Sequence, residues 1–370
     1  MTRFTIQSAL LCCAALVVLS GCTSFGHRNI ARDRFNYNEA IAQSRNQQML
    51  LNIVRLRYIE MPDFLAVSSI ITSYSYDSSL GLSGTVTNNP SAEIFTGNAN
   101  LKYTEKPTIT YAPLAGQEFA QRLLKPISVD GIFALGQAGW PMDLLMAIGL
   151  QRINNVKNMG FGAVPAPGKV DQERQFRKEA RNLNQFSRVL QLIIILAEKG
   201  VLEVQRKNNG QEVYSQLTFS NTQDPAVQQL VAEFKSTLQL DAKLNSFRIT
   251  SRTTERRPDE ITIQSRSLLS MMAFLSRGVI VPEEDQQAGK VIVFPEEAQK
   301  AIAAHGALKI HSQEKIPVDP YLAVQYRNAW FYIDNTDITS KRTFSTLQVI
   351  FQLQAPTKGA AAPLLTLPAG

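Results

Sequence analysis

An apolar run from Ala9 to Leu19, led by Arg3 and followed by Ser20-Gly21-Cys22, decides where the rest of this 370-residue chain has to fold. A helix that crosses a bilayer needs roughly 20 apolar residues, and this run is too short. A basic start, a short apolar stretch and small residues behind it read as an export signal over residues 1–21. The chain holds three cysteines, Cys12, Cys13 and Cys22. Two leave with the signal, and the body beyond position 22 has none. A cysteine nucleophile, a zinc–thiolate centre, a redox pair and a disulfide are therefore excluded from the body.

The residues Leu19-Ser20-Gly21-Cys22 resemble the lipobox of bacterial lipoproteins, Leu-(Ala/Ser)-(Gly/Ala)-Cys, at all four positions. The resemblance implies cleavage between Gly21 and Cys22 by a signal peptidase of the lipoprotein type. It further implies diacylglycerol on the Cys22 thiol and acylation of the new amine. At about 0.8 kcal/mol per buried methylene, two or more acyl chains hold a protein stably at a membrane. Thr23 follows the cysteine, where the enterobacterial sorting rule uses Asp for inner-membrane retention. By that resemblance the anchor lies in the outer membrane, facing the periplasm, with the inner membrane as the alternative.

The whole chain is 44% hydrophobic and 19% charged with a net charge of +7 spread thinly, which fits neither a disordered polymer nor a multi-span membrane protein. Residues 22–36 are polar and read as a lipidated tether. Residues 37–158 read as a first domain. It opens with a helix from Tyr37 to Tyr58, striped by Ile41, Met49, Ile53, Val54 and Leu56 and stopped by Pro62. Arg45, Arg55 and Arg57 read as a solvated face, or more sharply as a strip facing lipid headgroups.

From Ile70 to Tyr103 the residues alternate in character, with a turn at Asn88-Asn89-Pro90 and a further strand at Thr108–Tyr111 after Pro107. This predicts a long antiparallel hairpin plus one strand. The plain reading covers one side of the sheet with helices, so that Leu80, Leu82 and Val86 face a protein core and Leu82→Asp unfolds the chain. The alternative is an amphipathic strand pair of an oligomeric membrane barrel. Gly81, Ser83 and Asn98 count against it, because they thin the apolar side. Short helices follow to Asn158, with Trp140 in their core, and the Gly- and Pro-rich stretch 158–168 reads as a domain boundary.

Residues 169–354 read as a second α+β domain, and 355–370 as a flexible tail. A helix from Asp171 to Lys199 ends at Gly200, and Asn208-Asn209-Gly210 marks a hairpin turn, giving a winged-helix-like unit. The stretch Ser187–Leu202 can be laid on Ser265–Ile280, which suggests a second helix-plus-hairpin module with a β arm at Lys290–Phe294. Arg252, Arg256, Arg257 and Arg266, interleaved with Glu255, Asp259 and Glu260, read as a salt-bridged surface. A winged helix rich in arginine would suggest DNA, but the export signal rules out nucleic acid as a partner. Leu322–Ile333 reads as a strand, Asp334–Asp337 as a turn without the glycine and distal glutamate of a calcium loop, and Thr339 or Ser340 as the cap of a last helix. The expected fold class is α+β: an antiparallel hairpin region packed with helices, followed by helix-plus-hairpin modules.

No constellation names a reaction. His27 lies in the tether, and His305 and His311 lack metalloprotease spacing. Glu283-Glu284 and Glu296-Glu297 are adjacent acids of the common surface kind. The phrases Arg45–Asn52, Pro107–Tyr111, Ser265–Leu269 and Trp330–Asp334 resemble those of a group of uncharacterised Gram-negative envelope proteins, which implies one coherent architecture and no chemistry. The expected function is a non-catalytic structural, scaffolding or assembly role in the cell envelope, without cofactor or metal and with envelope proteins or further copies as partners. A pore or export-complex subunit using the 70–103 hairpin is the alternative, and a periplasmic hydrolase the third option. Radiolabelled palmitate is expected to enter the wild-type chain and not Cys22→Ser; equal labelling of both would contradict the lipobox.

Overall fold

The computed structural model describes residues 26–85, 94–114, 116–158, 169–208, 212–251, 257–296 and 308–354, together with Gly210, Gln299, Lys300 and Ile302. The lipidation and cleavage residues Cys22 and Gly21, the 159–168 boundary and the 355–370 tail lie outside them. The chain divides at Asn46/Gln47 into two units, and the described part of the first is helical throughout. Helix α1 runs Gly26–Arg57. The tether expected over 22–36 is thus helical from Gly26 onward; the stretch before Tyr37 holds no proline to stop it.

In the second unit the end of α1 buries Met49, Leu50, Ile53 and Val54, a stripe at helical spacing. The paired strands β1 (Leu65–Thr85) and β2 (Ile94–Pro113) follow, then three short helices, α2 (Gln117–Leu124), α3 (Val129–Gln137) and α4 (Met142–Gly149). Ser128 caps α3 by accepting from the Gly131 amide at 3.1 Å, as its position suggested. Strands β3 (Leu150–Ile153) and β4 (Val156–Lys157) lead to the long helix α5 (Lys169–Glu198), the hairpin β5 (Leu202–Asn208) and β6 (Val213–Phe219), and helix α6 (Pro225–Thr237). Strands β7 (Ser246–Thr250) and β8 (Glu260–Ser265) complete a six-stranded sheet in the order β4-β3-β8-β7-β6-β5, in which only β7 and β8 run parallel. Strands on both sides of segment 159–168 therefore share one sheet and one core, and no domain boundary falls there.

The chain ends with helices α7 (Leu268–Leu275) and α8 (Glu283–Gln287), a three-stranded sheet ordered β10-β11-β9, and helix α9 (Ile338–Gln354). Strands β9, β10 and β11 span His311–Gln313, Pro320–Tyr326 and Ala329–Asp334. The single strand expected over Leu322–Ile333 is thus a hairpin, turning at Arg327 with φ 52°. Helix α9 is capped by Asp337, which accepts from the Ser340 amide at 3.0 Å, and not by Thr339 or Ser340. The fold is α+β, as the sequence predicted.

The helix-plus-hairpin unit is formed once. After α5, Gly200 adopts φ 67° and β5–β6 follow. After α7, no strand forms at Lys290–Phe294. The two glycines that made the segments look alike serve different needs. Gly200 supplies a left-handed helix end with open space around it. Gly278 lies against the Leu308 carbonyl, where a Cβ would come within 1.8 Å of the oxygen. The likeness is two solutions to ending a helix.

Arg266 is a second correction. Expected on a salt-bridged surface, it is 1% exposed, with its guanidinium 4.0 Å from the centre of the Phe274 ring. Its Nη1 donates to the carbonyls of Ala147 and Ile148 at 3.3 and 3.1 Å, at the C-terminus of α4 where a cation is favoured. Arg257 is exposed as expected, and Arg252, Glu255 and Arg256 lie outside the described residues. Burial pushes the Arg266 pKa down to about 9, so the group is still charged at neutral pH. Arg266→Ala leaves carbonyls without a donor and a cavity beside Phe274, and is expected to cost about 3 kcal/mol in urea denaturation. Arg266→Met keeps the volume and is expected to cost less than half of that; equal losses would mean packing is irrelevant at this position.

Candidate functional site

Among the described residues, strands β1 and β2 pair only with each other, in an antiparallel ladder running from Leu65↔Pro113 to Thr85↔Ile94. The turn expected at Asn88-Asn89-Pro90 and Val86 lie outside the described residues. At the base of this sheet Leu65, Ile71, Ile109 and Tyr111 are all between 42% and 57% exposed, so the helices do not cover these residues as the plain reading expected. The separate strand predicted at Thr108–Tyr111 is the continuous end of β2. Pro107 does not interrupt it, because each strand of a two-stranded ribbon has a free edge where a missing N–H is tolerated.

The ribbon has a fixed root. Asn52 on α1 is fully buried and holds both backbone groups of Asp63, donating to its carbonyl at 2.6 Å and accepting from its amide at 3.0 Å. The next residue, Phe64, is buried between Phe119 and Phe351, at ring-centre distances of 5.6 and 5.3 Å. Across the ladder the Leu114 amide donates to the Phe64 carbonyl at 2.8 Å. Beyond this point, among the described residues, the two strands pair with no other strand.

Register sorts the residues. Successive positions of a strand alternate between faces, so ladder pairs two apart share one face. One face takes the pairs Tyr76↔Tyr103, Ser78↔Leu101, Leu80↔Ala99, Leu82↔Gly97 and Gly84↔Phe95. The other takes Ser75↔Thr104, Asp77↔Lys102, Ser79↔Asn100, Gly81↔Asn98 and Ser83↔Thr96. Asp77, Ser79, Asn98, Asn100 and Lys102 on the second face are exposed. The residues that seemed to thin the apolar side, Gly81, Ser83 and Asn98, all fall on the polar one. From the Tyr76–Tyr103 pair to Phe95 the apolar face extends about 27 Å at 3.4 Å per residue. That matches the apolar band of roughly 25 Å, edged by aromatic residues, of a membrane β-barrel.

The other residues considered from sequence do not assemble. His311 stacks on Tyr332 at 5.4 Å, and His305 and Glu297 lie outside the described residues. Glu283 and Glu284 sit in the first turn of α8, and Glu296 pairs with Lys300 at 2.6 Å. In the acidic turn, Asp334 accepts from Thr336 and Asp337 from Ser340. Among the described residues no group of three metal-ligating side chains occurs, and no helix is long and apolar enough to cross a membrane. No protein-family model, curated protein or solved structure matches the chain.

Sequence reasoning missed the clamp that steadies the ribbon's root. Tyr58, at the end of α1, donates to Asp285 at 2.6 Å and packs on Tyr326 and Phe331 at ring-centre distances of 5.2 and 6.2 Å. Arg327 lies over the Tyr58 ring at 4.5 Å and bonds Glu60 at 3.0 Å. Hydrogen bonds from Lys290 and then Tyr58 hold the Asp285 carboxyl below the usual carboxylate range. A depressed acid adds stability that is present above its unfolded value, roughly 3.9, and is lost as pH falls through the folded one. Tyr58→Phe is therefore expected to cost about 1 kcal/mol at pH 7 and less at pH 3, read by chemical denaturation. A cost that does not shrink in acid would remove Asp285 from this account.

Proposed function

We propose that this chain is a lipid-anchored protein of the outer membrane, facing the periplasm, that lends its β1–β2 hairpin to an oligomeric β-barrel as a subunit of a pore or export complex. The body is a non-catalytic support that holds the hairpin at a fixed root. The observation that carries this reading is the sorting of the ladder into one polar face and one apolar face of membrane height. A two-stranded ribbon is barely stable by itself in water. Closing several hairpins into a ring pairs every free edge, places the Ser-, Thr- and Asn-rich face around an aqueous lumen and turns the Leu-, Ala- and Phe-bearing face to lipid. Because each copy brings two strands and the smallest such barrels have about eight, the ring needs at least about four copies. The acyl chains implied at Cys22 supply the two-signal anchoring that keeps copies concentrated at one surface.

A scaffold that never enters the bilayer is the second reading, favoured by the exposed Leu65, Ile71, Ile109 and Tyr111 near the root, which could dock an envelope protein. A periplasmic hydrolase has no observation in its favour. The test contrasts two neighbouring substitutions. Leu82→Asp puts a charge on the apolar face and is expected to abolish detergent-stable oligomers while leaving the melting temperature of the body unchanged; Ser79→Asp, on the polar face, is expected to preserve both. Loss of folding in Leu82→Asp would restore the covered-sheet reading, and normal assembly in both variants would exclude the barrel.

A further inference from the structure

Two arginines that the hairpin does not use meet inside the body. Arg57, in the last turn of α1, and Arg277, in the turn after α7, both approach the ring of Phe294, at 4.8 and 5.8 Å from its centre. Arg277 is ion-paired with Glu179 at 3.2 Å, both side chains almost buried. Arg57 differs. It is 9% exposed, and among the described residues no carboxylate lies within 4 Å of its guanidinium. Its Nη2 donates to the Ile292 carbonyl at 2.9 Å, and its buried Nε–H has no acceptor. Expected on a solvated face, Arg57 is instead a desolvated cation with an unused donor, an arrangement that is costly unless something completes it.

A cavity of about 630 Å³ opens at this place. Arg57 and Arg277 line it together with Val279, Val281, Phe294 and Leu308. The two carboxylates among its described lining residues are already engaged: Glu296 by Lys300 at 2.6 Å, and Asp337 by the amide and hydroxyl of Ser340 at 3.0 and 2.7 Å. Lys309 also lines the cavity, and no carboxylate lies within 4 Å of it among the described residues. Positive charge is thus in excess, and the walls between the charges are hydrocarbon. Burial, with the like charge of Arg277 adding to it, pushes the Arg57 pKa down to about 10, which still leaves the guanidinium charged at neutral pH.

We propose that this cavity is a binding site for a small amphiphilic anion, with a carboxylate or phosphate head on Arg57 and a hydrocarbon body along Val279, Val281, Phe294 and Leu308. The volume falls within the range of small-molecule sites, roughly 300–1,000 Å³, which are mostly apolar with a few placed polar groups. An anionic head against the guanidinium supplies the counter-charge that no carboxylate among the described residues provides. A neutral molecule of the same shape fills the walls and leaves the cation as it was. The site does not depend on the fate of the hairpin, since every residue in it belongs to the body.

The full chain carrying Cys22→Ser is titrated calorimetrically with sodium decanoate, decyl phosphate, decanol and acetate, all below micellar concentration. Decanoate or decyl phosphate is expected to saturate at one molecule per chain and raise the melting temperature, with decanol and acetate at least tenfold weaker. The preference between the first two identifies the head as carboxylate or phosphate. Arg57→Gln is expected to weaken binding at least tenfold. Should that variant fail to fold, Ile280→Trp decides, because Ile280 is half-exposed on the cavity wall and the larger ring fills the space without touching a buried charge. No saturable binding, decanol binding as well as decanoate, or wild-type affinity in Ile280→Trp would each overturn the proposal.

Discussion

A two-stranded ribbon cannot cover its own apolar face, and the organisation of this molecule follows from that limit. Among the described residues the chain leaves β1 and β2 with both long edges unpaired, and puts its stabilising interactions at their root. There Asn52 answers both backbone groups of Asp63, so the first residue of the exit cannot turn without stranding a buried amide. Phe64 fixes the next residue by packing on α2 and α9. Among the described residues the strands that follow form a sheet only with each other, and a two-stranded ribbon depends on a partner for its stability. The proposed ring of hairpins in lipid would supply that partner by pairing the edges and covering the face in one step.

Much of this was legible in the residues, and the failures are instructive. Alternation over Ile70–Tyr103 gave the hairpin, because a period of two is written directly into the side chains. Which residues share a face was not legible, because it depends on how one arm registers against the other. Taken strand by strand, Gly81, Ser83 and Asn98 diluted the apolar pattern; once Gly81 is paired with Asn98 and Ser83 with Thr96, they define the polar face. Pro107 read as a break because proline ends a central strand, whereas both strands of a ribbon are edges. Covering helices were expected because that is how antiparallel sheets are usually buried, and no local signal marks a sheet that is not.

The buried cations were the least legible feature. Arg57 and Arg266 stand among polar neighbours in the sequence and looked like members of solvated faces. The chain instead carries each guanidinium inward, to the ring of Phe294 in one case and of Phe274 in the other, with backbone carbonyls as acceptors. Only Phe274 lies near its arginine in sequence; the carbonyls of Ile292, Ala147 and Ile148 and the ring of Phe294 are remote from the arginines they receive, so no window of residues could have revealed them. Arg266 is held where helix α4 ends, and its charge has a structural use. Both guanidinium groups leave a buried Nε–H without an acceptor; what separates them is that Arg57 lines a cavity whereas Arg266 is packed against the end of α4.

The account rests on one face of the ribbon meeting lipid and the other meeting water. Because the chain has no cysteine beyond Cys22, single cysteines can be placed at positions 77 to 84 and carry an environment-sensitive fluorophore in the membrane-assembled protein. The account predicts a period of two: lipid-like emission at 78, 80, 82 and 84, water-like emission at 77, 79, 81 and 83. Uniformly water-like emission along the whole stretch would contradict it.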